Sequence, residues 1–160
     1  MSKPKISIPI IDDAIAGLLK QLFPNVKVYS NPNQQGTDLP AFFIQHMPHS
    51  VITKQVGEMY NRKLFTDLVY MDEYNLTDTD DKYLYVAETL DANLELFPVV
   101  EDGVTFYMRT LDRTWSVELE ALHYKFHLEF RTTISKAEEE RMLIIQEFNL
   151  KLKEQGNGKK

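Results

Sequence analysis

Cysteine is absent from the 160 residues. Disulfides, thiolate metal sites and cysteine nucleophiles are therefore excluded, and the fold has to rest on packing and on partners. Glycine is sparse, with six scattered residues, too few and too dispersed to build a phosphate cradle. Neither G-x-S-x-G nor a dinucleotide fingerprint occurs. Basic side chains are in the minority, 18 against 24 acidic, for a formal charge of −6. Gripping nucleic acid through its phosphates needs a basic field, which this chain lacks overall, although a channel that lets nucleic acid slide past can be acidic. No apolar run approaches the roughly 20 residues that cross a bilayer, so no membrane role is expected. The opening Met1-Ser2-Lys3-Pro4-Lys5 is basic, but Asp12 and Asp13 interrupt any signal-peptide core, so synthesis and retention in the cytoplasm are expected.

What is present is the composition of one folded domain, 43% hydrophobic, 11% aromatic and 26% charged. Ile11, Ile15, Leu18, Leu19 and Leu22 recur at helical spacing and predict a helix from about Pro9 to Leu22, with Asp12 and Asp13 near its positive end and Pro24 as its stop. Gly17 within it suggests a close packing neighbour. Short strands are predicted over Val26–Tyr29, Ala41–His46 and Val51–Gln55, with a loop over Asn31–Asp38, and a longer alternating strand runs from Tyr60 to Met71. A second helix is predicted from Asp80 to Phe97, with Leu84, Ala87, Leu90, Leu94 and Phe97 as its buried stripe and Pro98 as its end. Two more strands follow, Val104–Leu111 and Trp115–Arg131, separated by a turn around Asp112-Arg113-Thr114. In the last, Tyr124, Phe126, Leu128 and Phe130 share a dry face, with His123, Lys125, His127 and Glu129 on a wet one. The pattern reads as an α+β fold: an antiparallel or mixed sheet packed by two helices in one domain over residues 1–135, followed by a partly disordered extension over 136–160.

Chemistry is hard to find. His123 and His127 stand four apart, but in a strand that separates them by about 13 Å, too far to share an ion. His46 and His49 flank Pro48 and read as polar residues lining a turn. Asp78, Asp80 and Asp81 suggest a calcium loop, yet the positions that need glycine and glutamate hold Tyr83 and Thr89, and a helix N-terminus accounts for the cluster better. Glu118 and Glu120 read as a solvated pair on one strand face. No catalytic, cofactor or metal residue is expected, and an enzyme is the least favoured reading. Aromatics are the richer signal. Tyr60, Phe65, Tyr70, Tyr74 and Tyr107 exceed what one small core can hold, and surface aromatics favour interfaces.

Val28-Tyr29, Gln35-Gly36 and Leu39-Pro40-Ala41-Phe42-Phe43-Ile44, following an amphipathic helix, resemble the tail terminator family of Firmicute-type phages and phage tail-like particles. Asp102-Gly103, Val104-Thr105-Phe106 and Tyr124-Lys125-Phe126-His127-Leu128 continue the resemblance in order, over roughly residues 8–132. It implies an α+β structural protein of the virion, in the tail-neck region, that forms a ring with itself, usually of six copies. Such a ring sits on the head-proximal end of the tail tube protein, ends tube polymerisation and meets neck or connector proteins, and sometimes sheath protein. DNA only passes through its lumen.

On this reading Gln35, Gly36, Asp38, Tyr60, Phe65, Tyr70, Tyr74, Phe148 and Leu150 are candidate interface residues, and Asp72, Glu73 and Asp112 are candidates for a lumen wall. The alternatives are another neck or head-tail completion protein, or a small cytoplasmic binding or immunity protein. Mass in solution separates the ring readings from the last of these.

Overall fold

The computed structural model describes residues 6–30, 38–73 and 79–134, apart from the side chains of residues 48, 49 and 79. Helix α1 (Ile8–Leu22) carries Pro9 in its first turn and buries Ile11, Ile15 and Leu19 completely. Asp12 and Asp13 lie beyond the first turn, so the expected dipole role is corrected: Asp12 reaches across to the sheet instead. Nothing approaches the position a Cβ on Gly17 would take, so the close neighbour expected there is also corrected.

Strand β1 (Lys27–Tyr29) runs parallel to β2 (Ala41–Lys54), which pairs antiparallel with β3 (Met59–Met71). The two short strands expected over 41–55 are one long strand. Its register shifts between His46 and Ser50, where the sequence suggested a turn, and β3 supplies pairing partners on both sides of the irregularity.

Helix α2 (Thr79–Asn93) is shorter than expected and places Asp80 and Asp81 in its first turn, where negative charge is favoured. Its buried side is Tyr83, Val86, Ala87 and Leu90; Leu84 is exposed, a correction to the predicted stripe. Leu96 to Glu101, partly assigned to that helix by periodicity, form strand β4. Pro98 therefore sits in a strand. Thr110 N–H donates to Glu95 O at 3.0 Å, so in the alternation of an antiparallel ladder Phe97, Val99 and Glu101 face β5, while Leu96, Pro98 and Val100 direct their backbone groups to the open edge. The missing proline N–H falls where no partner is needed.

Asp102 and Gly103, both at positive φ, turn the chain into β5 (Val104–Glu118), which pairs with β6 (Ala121–Thr133). The expected turn at 112–114 is instead a register shift within β5, with Asp112 at φ 51. The reversal lies at Leu119 and Glu120, at φ 49 and 63, a turn that lacks the glycine or asparagine by which such turns are recognised.

The sheet order is β1-β2-β3-β6-β5-β4, so the fold is α+β with a mixed six-stranded sheet. Both helices cover one face. Ile11, Ile15 and Leu19 of α1 and Tyr83, Ala87 and Leu90 of α2 share a core with Leu64, Leu68 and Tyr70 of β3 and Tyr124, Phe126 and Leu128 of β6. Each fully buried leucine or isoleucine there contributes about 1.5–3 kcal/mol. A smaller cluster of Ala41, Phe43, Val69 and Ala121 lies on the other face. The extension expected after residue 135 lies outside the described residues.

Candidate functional site

With the helices on one face, the opposite face of the sheet is left to polar side chains. Phe65 stands opposite His127 in register, Asp67 opposite Lys125, and Lys63 opposite Glu129. His123 Nδ1 lies 2.8 Å from Asp67 Oδ2, and His127 lies between Asp112 and Glu129 at 3.4 Å from each. The wet face expected for β6 is more enclosed than its alternation implies. His127 is only 5% exposed and Asp67 is buried too.

This arrangement is not catalytic machinery as it stands. Ser116 faces His123 in register, but its hydroxyl donates to Glu118 Oε1 at 2.8 Å, so serine, histidine and aspartate are not linked in a relay. That hydrogen bond, and then Lys125, hold the Glu118 carboxyl below its usual range. Glu120 is in the turn and not beside Glu118 on a strand face, a correction to the expected pair. Among the described residues no group of three or more His, Asp or Glu side chains is arranged to hold a metal ion, and no helix is long and apolar enough to cross a membrane. His46 is not a turn residue. It lies in β2, bonded to Asp12 and Thr66.

The candidate contact residues divide by position. Gln35, Gly36, Tyr74, Phe148 and Leu150 lie outside the described residues. Asp38 is exposed and forms a charge-assisted hydrogen bond with Lys27, which lowers the aspartate pKa and raises that of the lysine. Its N–H points at Tyr29 Oη, 3.4 Å away, so the end of the loop is tied to β1. Tyr60 and Phe65 are half-buried, and Phe65 takes the Lys63 ammonium 5.4 Å above its ring. Tyr107 is exposed. Tyr70 is only 5% exposed, packed 5.0 Å from Phe42 and edge-on to Tyr83 at 5.7 Å. Its expected surface position is corrected: this tyrosine belongs to the core.

Of the candidate wall residues, Glu73 is exposed and Asp112 projects with its side chain 85% exposed. Asp72 is different. Its side chain is 9% exposed, accepts a hydrogen bond from Tyr70 Oη at 3.2 Å and pairs with Lys82 at 3.3 Å. It is a structural carboxylate before it is anything else.

Apolar side chains are exposed at both ends of the sheet, a pattern hidden from any local reading of the sequence. Val56 at the β2–β3 turn lies at the end where Met59 pairs with Thr133, and the β4–β5 hairpin adds Val100, Val104 and Tyr107. At the other end Trp115, Val117 and Leu119 are exposed, Leu119 by 97%. Two open grooves accompany them. One, of about 380 Å³, lies between α1 and β4 with Gly17, Leu18 and Pro98 in its wall. The other, of about 460 Å³, lies across β2, β3 and β6 with Lys63, Glu129 and Arg131 in its wall.

A family model described as phage tail terminator protein matches residues 10–140 of the chain. No curated protein was found to match it.

Proposed function

The chain belongs to the phage tail terminator family, and from that premise we propose that it closes the head-proximal end of a tail tube as a ring of identical copies, usually six. The ring ends tube polymerisation and offers its outer surface to neck or connector proteins, and in a contractile tail to sheath protein. DNA passes through its lumen without being held. The particle's tail-neck junction is its place of work.

The family match carries this reading. The distribution of exposed apolar residues supports it physically. A cyclic ring needs two different, complementary patches on each copy, since a head-to-tail contact closes only when patch and counter-patch lie on separate surfaces. Exposed apolar residues at opposite ends of one sheet, Val104 and Tyr107 at one and Trp115 and Leu119 at the other, satisfy that requirement. Asp38, tied to β1 by Lys27, holds one end of the 31–38 loop, which on this reading touches a neighbouring copy or the tube.

Electron microscopy of particles made without this protein tests the proposal. Tails of uncontrolled length, or tails detached from heads, are the expected outcome. Normal tails and normal infectivity would overturn it. Mass measurement of the purified chain, alone and with tube protein, separates a ring from a monomeric binding protein.

A further inference from the structure

Each edge strand of the sheet is shorter than the strand it covers. β1 pairs with β2 only over Ala41 to Phe43, and β4 pairs with β5 only over Val104 to Arg109. Among the described residues, nothing pairs with the outer side of β2 from Ser50 to Lys54, or of β5 from Thr114 to Glu118. Gln55 N–H donates to Met59 O at 2.9 Å, so by alternation Ser50, Ile52 and Lys54 direct their backbone groups outward. The two-residue turn at Leu119 and Glu120 closes on the Glu118–Ala121 pair, which leaves Trp115 and Val117 directed outward on β5. Neither segment contains proline, and Val51, Ile52, Trp115 and Val117 are exposed. An edge of this kind is a template for another strand, whereas the β4 edge is blunted by Pro98.

We propose that these two edges pair with one another between copies, Ser50 to Lys54 of one chain running antiparallel to Thr114 to Glu118 of the next. The proposal rests on the ring reading and supplies its contact. β2 and β5 run in opposite directions on opposite sides of the sheet, so this pairing joins successive sheets with all helices on one side. The two segments lie at opposite corners. Lys54 is near the end where Met59 pairs with Thr133, Glu118 near the end where Tyr70 pairs with Leu122. Each copy is thereby displaced along the strands relative to the last, and a closed, tilted sheet requires such a stagger. The same displacement carries β1 of one copy and β4 of its neighbour past opposite ends of the shared ladder, so neither obstructs it. Charge favours this pairing over two β5 edges meeting. Lys54 is the charged residue of the first segment, and Glu118 with the adjoining Glu120 makes the second negative, even with Lys125 3.6 Å from Glu118. Ile52 opposite Val117 sets Lys54 against Trp115, whose ring suits a cation, and Thr53 against Ser116; the register two residues away sets Lys54 against Arg113.

The absence of native cysteine makes the test clean. Thr53→Cys and Ser116→Cys are made in separate full-length chains, mixed, oxidised mildly alone and with tube protein, and scored on non-reducing gels. A disulfide between the two variants is expected to form at least about tenfold faster than in either variant by itself. The chain carrying both cysteines should give a covalent series that ends at the copy number of the ring. Ile52→Pro removes an outward N–H and none that faces β3, as Pro98 does in β4, so it should abolish the cross-link while the melting transition of the protomer remains. Val117→Pro tests the same bond from the other side, and the cysteine pair stands by itself if both proline variants fail to fold. Thr53→Cys cross-linking as fast to itself as to Ser116→Cys would show two β2 edges meeting and overturn the proposal. Mass measurement of the parent chain separates the remaining outcomes. A ring without the cross-link overturns the edge pairing alone, whereas no oligomer, alone or on tubes, overturns the ring reading with it.

Discussion

Asp12 Oδ1 on α1 lies 2.6 Å from His46 Nε2 on β2. The other ring nitrogen of His46 lies 3.2 Å from Thr66 Oγ1 on β3, so one imidazole joins the first helix to two strands. Both side chains are about one-fifth exposed, so solvent weakens the contact without abolishing it. Asp12→Ala and His46→Ala are each expected to cost about 1 kcal/mol. The double variant should cost clearly less than their sum, because the two residues act on one contact. Thermal unfolding of the three variants checks this; full additivity would show that the pair is not coupled.

Tyr124 is completely buried and donates to Asp91 Oδ1 at 2.6 Å, while Tyr70 donates to Asp72. Burial first, and then the neighbouring carboxylates, push both phenols well above the ordinary tyrosine range. The unfolded chain ionises its tyrosines near pH 10, and the folded one resists. These groups therefore contribute stability that is fully present below about pH 10 and is lost as the pH rises beyond it. Melting temperature followed from pH 8 to 11 should fall steeply above 10, and more shallowly in Tyr124→Phe. An equal slope in both would remove Tyr124 from the explanation.

Leu119 and Glu120 hold left-handed backbone conformations that cost non-glycine residues on the order of 1 kcal/mol each. Leu119→Asn with Glu120→Gly supplies the residues such a turn favours and should raise the melting temperature by roughly 2–6 °C. If the exposed Leu119 side chain serves a neighbouring copy, the same variant should assemble less well although it is more stable. Equal assembly with higher stability would take Leu119 out of the interface.

The lumen wall is a proposal that the fold narrows. Asp72 is engaged with Tyr70 and Lys82, so reversing its charge would disturb the core and say little about DNA. Glu73 is free of that objection, and Asp112, although 3.4 Å from His127, keeps its side chain 85% exposed. Glu73→Lys with Asp112→Lys should leave rings intact and slow DNA ejection, since lysines in the path hold phosphates. Unchanged ejection from normally assembled particles rules both residues out as wall.

Much of the architecture is legible in short-range periodicity. The stripe Ile11, Ile15, Leu19 and the alternation Tyr124, Phe126, Leu128, Phe130 each report a face that must be dry, and both faces are. Where the fold departs from expectation, a residue distant in sequence intervenes. Pro48 did not end a strand, because β3 pairs with β2 on both sides of it. Leu96 to Glu101 left the helical pattern because β5 offered a ladder. The reversal at Leu119 was invisible because neither turn residue is of a type that favours positive φ.

By itself the sequence determined an α+β fold without thiol chemistry or a recognised catalytic motif, and its ordered motifs carried the resemblance to tail terminators that the family match bears out. Composition, spacing and motif order are properties of neighbours along the chain, and they can be read there. Only the tertiary structure decided that Tyr70 is core, that Asp72 is a structural partner and that His46 joins helix to sheet. Each of these depends on burial or on a partner supplied by another strand or helix, and pairing across a sheet leaves no trace in the spacing of either strand alone.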